Sequence, residues 1–326
     1  MKKTLLLSAM AAVFLFGCKK DHSTPGSAAQ KKYPVTFNMT DFTQTISSVS
    51  GKQQVNNLKA DAATANIAAY TKVLYLIIYN SSGNMVRRLE QVSTVPNYGV
   101  IADSLAAGTY TVIIAAGQSA LKSNAGSPNG GKPSFTTLSD GVLYYLDPTA
   151  TNVGVTTRYF EGTWNDTFFN KFQFTVTNGP VNQTVNLSRI VSKLEVDFND
   201  VIPSNAASVD LFLSKENFQY ALGTASPIIA DTITTHFSVP DSVKGTSNYT
   251  FSQLVLNTAT QFNVTLRAYD AAHHLLATHE IPNVSCQVNK RTILSGNFSN
   301  QGVNNNNNGF SVSLDPNWGA PITVHY

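Results

Sequence analysis

Residues Lys193-Leu-Glu-Val-Asp-Phe198 alternate a charged side chain with an apolar one at every step. Successive side chains of a β-strand point to opposite faces. A period of two therefore puts Leu194, Val196 and Phe198 on one face and Lys193, Glu195 and Asp197 on the other. The pattern recurs on either side. Phe172, Phe174 and Val176 alternate with Lys171, Gln173 and Thr175, and Phe262, Val264 and Leu266 alternate with Asn263, Thr265 and Arg267. Residues 73–79 are instead continuously apolar, as expected of a strand covered on both faces. Turn-forming residues separate the runs at Asn80-Ser-Ser-Gly-Asn84, across residues 124–133, at Asn178-Gly-Pro180 and at Asp270-Ala-Ala-His273. One short Ala-rich helix is expected within residues 59–69. Many short strands with regular turns predict an all-β chain of antiparallel β-sandwiches.

The 326 residues suffice for two such domains, expected at 33–182 and 183–326 with the break at Asn178-Gly-Pro-Val-Asn182. A strand–turn–strand rhythm at residues 76–90 is echoed at 264–281, as two sandwiches of related design would produce. The five consecutive asparagines 304–308 form a loop between the last two strands. Hydrophobic residues make up 42% of the chain, enough for real cores, whereas charged residues make up only 13%. Soluble globular proteins carry roughly 25%, so a charge-rich disordered chain is excluded. The net charge of +3 includes Lys2 and Lys3, which lie in a segment expected to be removed. The remainder is close to neutral and offers no basic face to a nucleic acid. A mean hydropathy of −0.07 with one N-terminal apolar run excludes a polytopic membrane protein.

That run decides the destination. Residues 1–17 place Lys2 and Lys3 before an apolar stretch, Leu5 to Phe16, that falls short of the ~20 residues needed to span a bilayer. Gly17 then precedes Cys18. The segment resembles a bacterial lipoprotein signal, which implies that Cys18 is acylated on sulfur and becomes the first residue of the mature chain. Residues 18–32 form a flexible tether with nothing to bury. Its Lys19-Lys-Asp21 start partly resembles the signal that sends Bacteroidetes lipoproteins to the cell surface. Cys286 is then left alone in a strand-like run, without metal-ligand spacing around it, and is expected to act as a small core hydrophobe.

Candidates for chemistry are few. The chain holds no Gly-x-Ser-x-Gly, no phosphate loop and no H-E-x-x-H. His273, His274 and His279 cluster on a hairpin. Alternation separates His273 from His279 by about 20 Å and turns His274 away, so a solvated hairpin is expected rather than a metal centre. Asp197 and Asp200 flank a turn and make no glycosidase-like pair. No catalytic residue, metal or cofactor is assigned. Trp164 and Trp318 are candidates for stacking on sugars, although such residues more often anchor cores or interfaces.

Several segments resemble the fimbrillin superfamily of Bacteroidetes, especially its FimB-type lipoprotein anchor subunits. Leu105-Ala-Ala-Gly-Thr-Tyr-Thr-Val112 resembles an L-x-x-G-x-Y-x-V strand in which Tyr110 and Val112 face the core. Residues 74–87 resemble the preceding hairpin, and Tyr159-Phe-Glu-Gly162 an aromatic-Gly segment late in the first domain. Leu187-Ser-Arg-Ile-Val-Ser-Lys-Leu-Glu-Val196 resembles the approach to the second domain, and Val288-Asn-Lys-Arg-Thr-Ile-Leu-Ser-Gly-Asn-Phe298 a penultimate-strand signature. The resemblance implies two transthyretin-like β-sandwiches and a surface lipoprotein of the outer membrane. It also implies a role as anchor or accessory subunit in fimbria assembly and cell adhesion, with other fimbrial subunits as partners. No catalytic residues come with it.

It further implies strand exchange, in which the first strand, residues 33–39, carries Val35, Phe37 and Met39 inward. In shaft subunits that strand is removed by proteolysis; Lys52 and Lys59 are the candidate cleavage positions here. An anchor must keep its lipid, so the strand is expected to stay in place at an edge of its own sandwich, leaving the C-terminal domain to meet the fimbria. Asp103-Ser104-Leu105, Asp231-Thr232-Ile233 and Asp241-Ser242-Val243 resemble the O-glycosylation signal of Bacteroidetes exported proteins, with Ser104, Thr232 and Ser242 as acceptors. The alternative function is a glycan-binding surface lipoprotein with a host or glycan ligand. It requires an exposed aromatic platform around Tyr159, Phe160 and Trp164.

Replacing Cys18 with Ser is expected to move the protein from the membrane fraction to the soluble fraction. Unchanged partition on fractionation would count against acylation at this residue.

Overall fold

Alternating residues zip into strands because each ladder satisfies backbone groups while one face of the sheet sheds water. The computed structural model describes residues 30–42, 67–119, 135–144, 164–299 and 309–315. In chain order the first group of elements is β1 (Lys32–Phe42), α1 (Ile67–Tyr70), β2 (Val73–Asn80), β3 (Met85–Val92), β4 (Val100–Ala106), β5 (Gly108–Gly117), β6 (Val142–Tyr144), β7 (Thr167–Val176) and β8 (Val181–Arg189). The second group is β9 (Ser192–Phe198), β10 (Ala206–Ala221), β11 (Ser226–Ser238), β12 (Tyr249–Val255), β13 (Phe262–Asp270), β14 (Leu275–Val284), β15 (Arg291–Gly296) and β16 (Ser311–Asp315). The fold is all-β sandwich, as expected. Of the expected Ala-rich helix, only α1 lies within the described residues. The Asn304–Asn308 loop and the 124–133 turn lie outside them.

In the first sandwich, β3-β2-β5-β7 face β8-β1-β4, and a short β7–β8 pairing joins the two layers. Val35, Phe37 and Met39 meet Leu74, Leu76 and Ile78 of β2, Val112 and Ile114 of β5, and Val185 and Leu187 of β8 in one core. The expected break after Asn182 thus falls inside β8, a strand whose side chains belong to this first core. In the second sandwich, β11-β10-β13-β14 face β12-β9-β15-β16 around Leu194, Val196, Phe198, Leu211, Val264, Ile281 and Leu294. Cys286 is buried in that core, where desolvation pushes its thiol up to about 11.

The two sandwiches repeat one topology. In each, the first strand pairs antiparallel with the fourth (β1 with β4, β9 with β12) and parallel with the seventh (β1 with β8, β9 with β15). The other sheet runs third-second-fifth in both, as β3-β2-β5 and β11-β10-β13. The repeat therefore matches β2–β3 to β10–β11, whereas the echo expected from sequence set residues 76–90 beside 264–281, which are β13 and β14. Hairpins resemble one another locally whichever pair they form, so rhythm alone misaligned them.

A third apolar cluster joins the sandwiches. Ile77 and Tyr79 of β2 and Ile113 and Ala115 of β5 turn outward, against Trp164, Tyr220, Leu222, Leu254 and Leu256. This explains the continuous apolar run of β2, which is buried on both faces. β6 extends from the first half of the chain to pair with the end of β10. Arg189, at the end of β8, forms a two-pronged ion pair with Asp166, at 2.5 Å from Nε and 2.9 Å from Nη2. Its Nη1 donates to Asn289 Oδ1 in the β14–β15 connection, and its guanidinium lies over the Phe168 ring. Both charged side chains are almost wholly buried.

Arg189→Ala is expected to cost about 3–5 kcal/mol in urea unfolding, because it strands the Asp166 carboxylate without its partner. The paired replacement Arg189→Met with Asp166→Leu is expected to cost less, since no lone charge remains buried.

Candidate functional site

The residues with a proposed role in assembly lie on β1. Val35, Phe37 and Met39 are buried as expected, and the Phe37 ring meets Phe174 edge-on at 5.5 Å. The position of the strand differs from expectation. β1 runs between β4 and β8, with ladders on both sides, and the edge is β4. An alternating strand looks the same from sequence at an edge or inside a sheet. Taking β1 out would open a slot floored by the first core and walled by two strand edges.

The β4 edge itself is closed off. The Gln91 carboxamide on β3 accepts the Gly99 N–H at 3.0 Å and donates to the Val100 carbonyl at 2.8 Å, standing in for a strand. Arg87 of β3 pairs with Asp103 of β4 at 3.0 Å across the same seam. Asp103 also accepts the Ser104 N–H at 2.8 Å, leaving the Ser104 side chain exposed. Thr232 repeats this arrangement, its N–H bound to Asp231 Oδ1 at 2.7 Å, and Ser242 is exposed beside the Asp241–Lys244 pair. Cys18, Lys52, Lys59, Tyr159, Phe160 and Trp318 lie outside the described residues.

Other candidates resolve into structural roles. Trp164 is buried, and its Nε1 donates to the Asn217 carbonyl at 2.7 Å. That removes it from any exposed sugar platform. Asp197 accepts from Thr250, while Asp200 accepts the Phe298 and Ser299 N–H groups and the Ser299 hydroxyl. Burial opposes the charge on Asp200, but these hydrogen bonds together hold its pKa below the usual value. His273 and His274 are exposed on the hairpin tip, as expected. His279 is not: it is buried, with Nε2 bonded to the Phe298 carbonyl at 3.0 Å and the Phe310 ring against it. Alternation on β14 would have placed it there, because Ala277 and Ile281 point the same way. Among the described residues no group of three or more His, Cys, Asp or Glu could hold a metal ion.

Motif searching missed two buried side chains, Arg189 at the junction of the sandwiches and Glu216 within the second sandwich. Arg189 was legible in principle, since the period of Val185 and Leu187 carries it inward. Glu216 sits beside a bulge in β10, wholly buried, where a carboxylate oxygen accepts the Leu256 N–H at 2.6 Å. Desolvation pushes its pKa up to about 8, against the lowering effect of those backbone donors. Its neighbours Lys215 and Asn257 are tied to each other through the Lys215 carbonyl.

The family profile of DUF6562, described as a family of unknown function, matches residues 35–326, and the chain belongs to that family. No curated protein matches it. Among solved structures it is similar to the fimbrial anchor protein Mfa2 of Porphyromonas gingivalis. The two are 15% identical, with a TM-score of 0.50 over 87% of this chain and 97% of that one. A DUF1812 protein of Bacteroides thetaiotaomicron, described as a candidate polysaccharide-binding protein, is 12% identical with a TM-score of 0.50 over 82% of this chain and 93% of that one. At these identities the likeness is one of fold. At that level it bears out the fimbrillin resemblance.

Between the ordinary carboxyl pKa and about 8, the folded chain holds a proton on Glu216 that the unfolded chain has released. Stability is therefore expected to fall as pH rises from 5 to 8. Glu216→Gln should flatten that slope in thermal melts; an unchanged slope would remove Glu216 as its source.

Proposed function

We propose that the protein is a lipid-anchored surface subunit of a fimbria or related adhesive assembly. In this reading Cys18 carries the lipid in the outer membrane, residues 18–32 form the tether, and the two sandwiches project as a rigid body. The observation that carries it is the state of β1. The strand is laddered on both sides and closes the first core, and it lies on the path from Cys18 to the rest of the chain. Cleavage after Lys52 or Lys59 would remove strand and anchor together. An anchor or accessory subunit therefore keeps β1, and its partners are other fimbrial subunits. The fold shared with the anchor Mfa2 supports this assignment.

The exposed hydroxyls of Ser104, Thr232 and Ser242, each beside an aspartate, suit O-glycosylation of a surface protein. A glycan-binding role has lost Trp164, its central residue, to the junction between the sandwiches.

The mature N-terminus, determined by mass spectrometry on protein from cells, is expected to be an acylated Cys18. A start just after Lys52 or Lys59 would instead make the protein a polymerising or tip subunit.

A further inference from the structure

The internal repeat shows a strand position that is filled in one sandwich and empty of any described strand in the other. β8 and β15 are equivalent, each parallel to the first strand of its sandwich. On its far side β15 carries β16, an antiparallel strand of five residues. On the same side β8 meets β7 at Phe168–Arg189 and Phe169–Ser188 and no further. Beyond those pairs the two strands diverge, and no described strand ladders onto β8 there.

The direction of the unladdered groups follows from one bond. Asn170 Nδ2 donates to the Asn186 carbonyl at 2.5 Å, so the main-chain groups of Asn186 point toward β7. Backbone polarity alternates along a strand, so those of Thr184 and Asn182 point the same way. Apart from the Asn170 carboxamide on the Asn186 carbonyl, the edge of β8 carries none of the usual devices against pairing. Residues 181–188, Val-Asn-Gln-Thr-Val-Asn-Leu-Ser, contain no charge and no proline. Within the same sandwich the β3–β4 seam is stitched by Gln91 and by Arg87–Asp103. Phe172 and Val181, only partly buried, leave apolar surface at the mouth of the β7–β8 seam.

We infer that the β7–β8 seam accepts an incoming strand, supplied by another protein subunit, that adds antiparallel to β8 as β16 adds to β15. The position is distinct from the one held by β1. The chemistry of the guest follows from β16 and the residue before it, where a buried Phe310 and the more exposed Val312 and Leu314 alternate with Ser311 and Ser313. It is an extended segment with apolar residues at alternate positions and, as in β16, an acidic residue at its end. The source of the strand rests on the assembly reading above; the site itself does not.

The probe is a capped peptide of residues 309–315, Gly-Phe-Ser-Val-Ser-Leu-Asp, titrated into the 15N-labelled full chain carrying Cys18→Ser. Amide shifts are expected at Asn182, Thr184 and Asn186. Thr184→Pro removes a donor on the free edge and spares the β1 ladder, so it should weaken binding at least tenfold. If that variant does not fold, Asn182→Cys should form a disulfide with a peptide bearing Ser313→Cys. Absence of shifts, shifts confined to other sheet edges, undiminished binding by a folded Thr184→Pro chain, or no disulfide would each overturn the site. Peptide binding together with a mature start after Lys52 would leave the site standing and overturn the anchor reading. An acylated Cys18 without peptide binding would do the reverse.

Discussion

A sheet that is apolar on both faces has to be covered twice. β2 and β5 impose this condition, because Leu74, Leu76 and Ile78 point to one side while Tyr75, Ile77 and Tyr79 point to the other, all of them buried. The first side is covered within the sandwich by β1, β4 and β8. The second is covered by Trp164, Phe135 and Leu143 from the segments before β7 together with Tyr220, Leu222, Leu254 and Leu256 from the other half of the chain. Burying a large apolar side chain is worth about 1.5–3 kcal/mol, so this junction is energetically a third core.

A junction so apolar would tolerate sliding, and polar groups fix its geometry. Arg189 sits where the chain leaves the first sandwich, grips Asp166 at the start of β7 and reaches Asn289 beside β15. Trp164 spends its one N–H on the Asn217 carbonyl, and beside the junction, within the second sandwich, the Glu216 carboxyl group accepts the Leu256 N–H. Each of these groups would be costly to leave unpaired in such surroundings. The arrangement that satisfies them all is therefore strongly preferred over its neighbours.

The sheet edges differ in how they are closed. β1, the strand whose removal would open the first core, is held on both sides by ladders, and the neighbouring β3–β4 seam is closed by side chains. The β8 edge carries a lighter closure, the Asn170 side chain on the Asn186 carbonyl. A chain with so few charges has little like-charge repulsion to protect such an edge, and specificity must come from register and apolar fit.

The sequence by itself determined which segments are strands and which side chains face inward. Side-chain alternation is a local property, and Lys193-Leu-Glu-Val-Asp-Phe198 has it in any environment. The double-sided burial of β2, the core positions of Val35, Phe37 and Tyr110, and the absence of long helix among the described residues were legible on the same ground. Only the tertiary structure decided which strands are neighbours. That β1 lies inside a sheet, that β2–β3 answers to β10–β11, that His279 is covered by Phe310, and that Arg189 finds Asp166 and Asn289 all depend on pairings between distant residues. One strand pattern is compatible with many partners. The choice among them is made by closing every apolar face and every buried polar group at once.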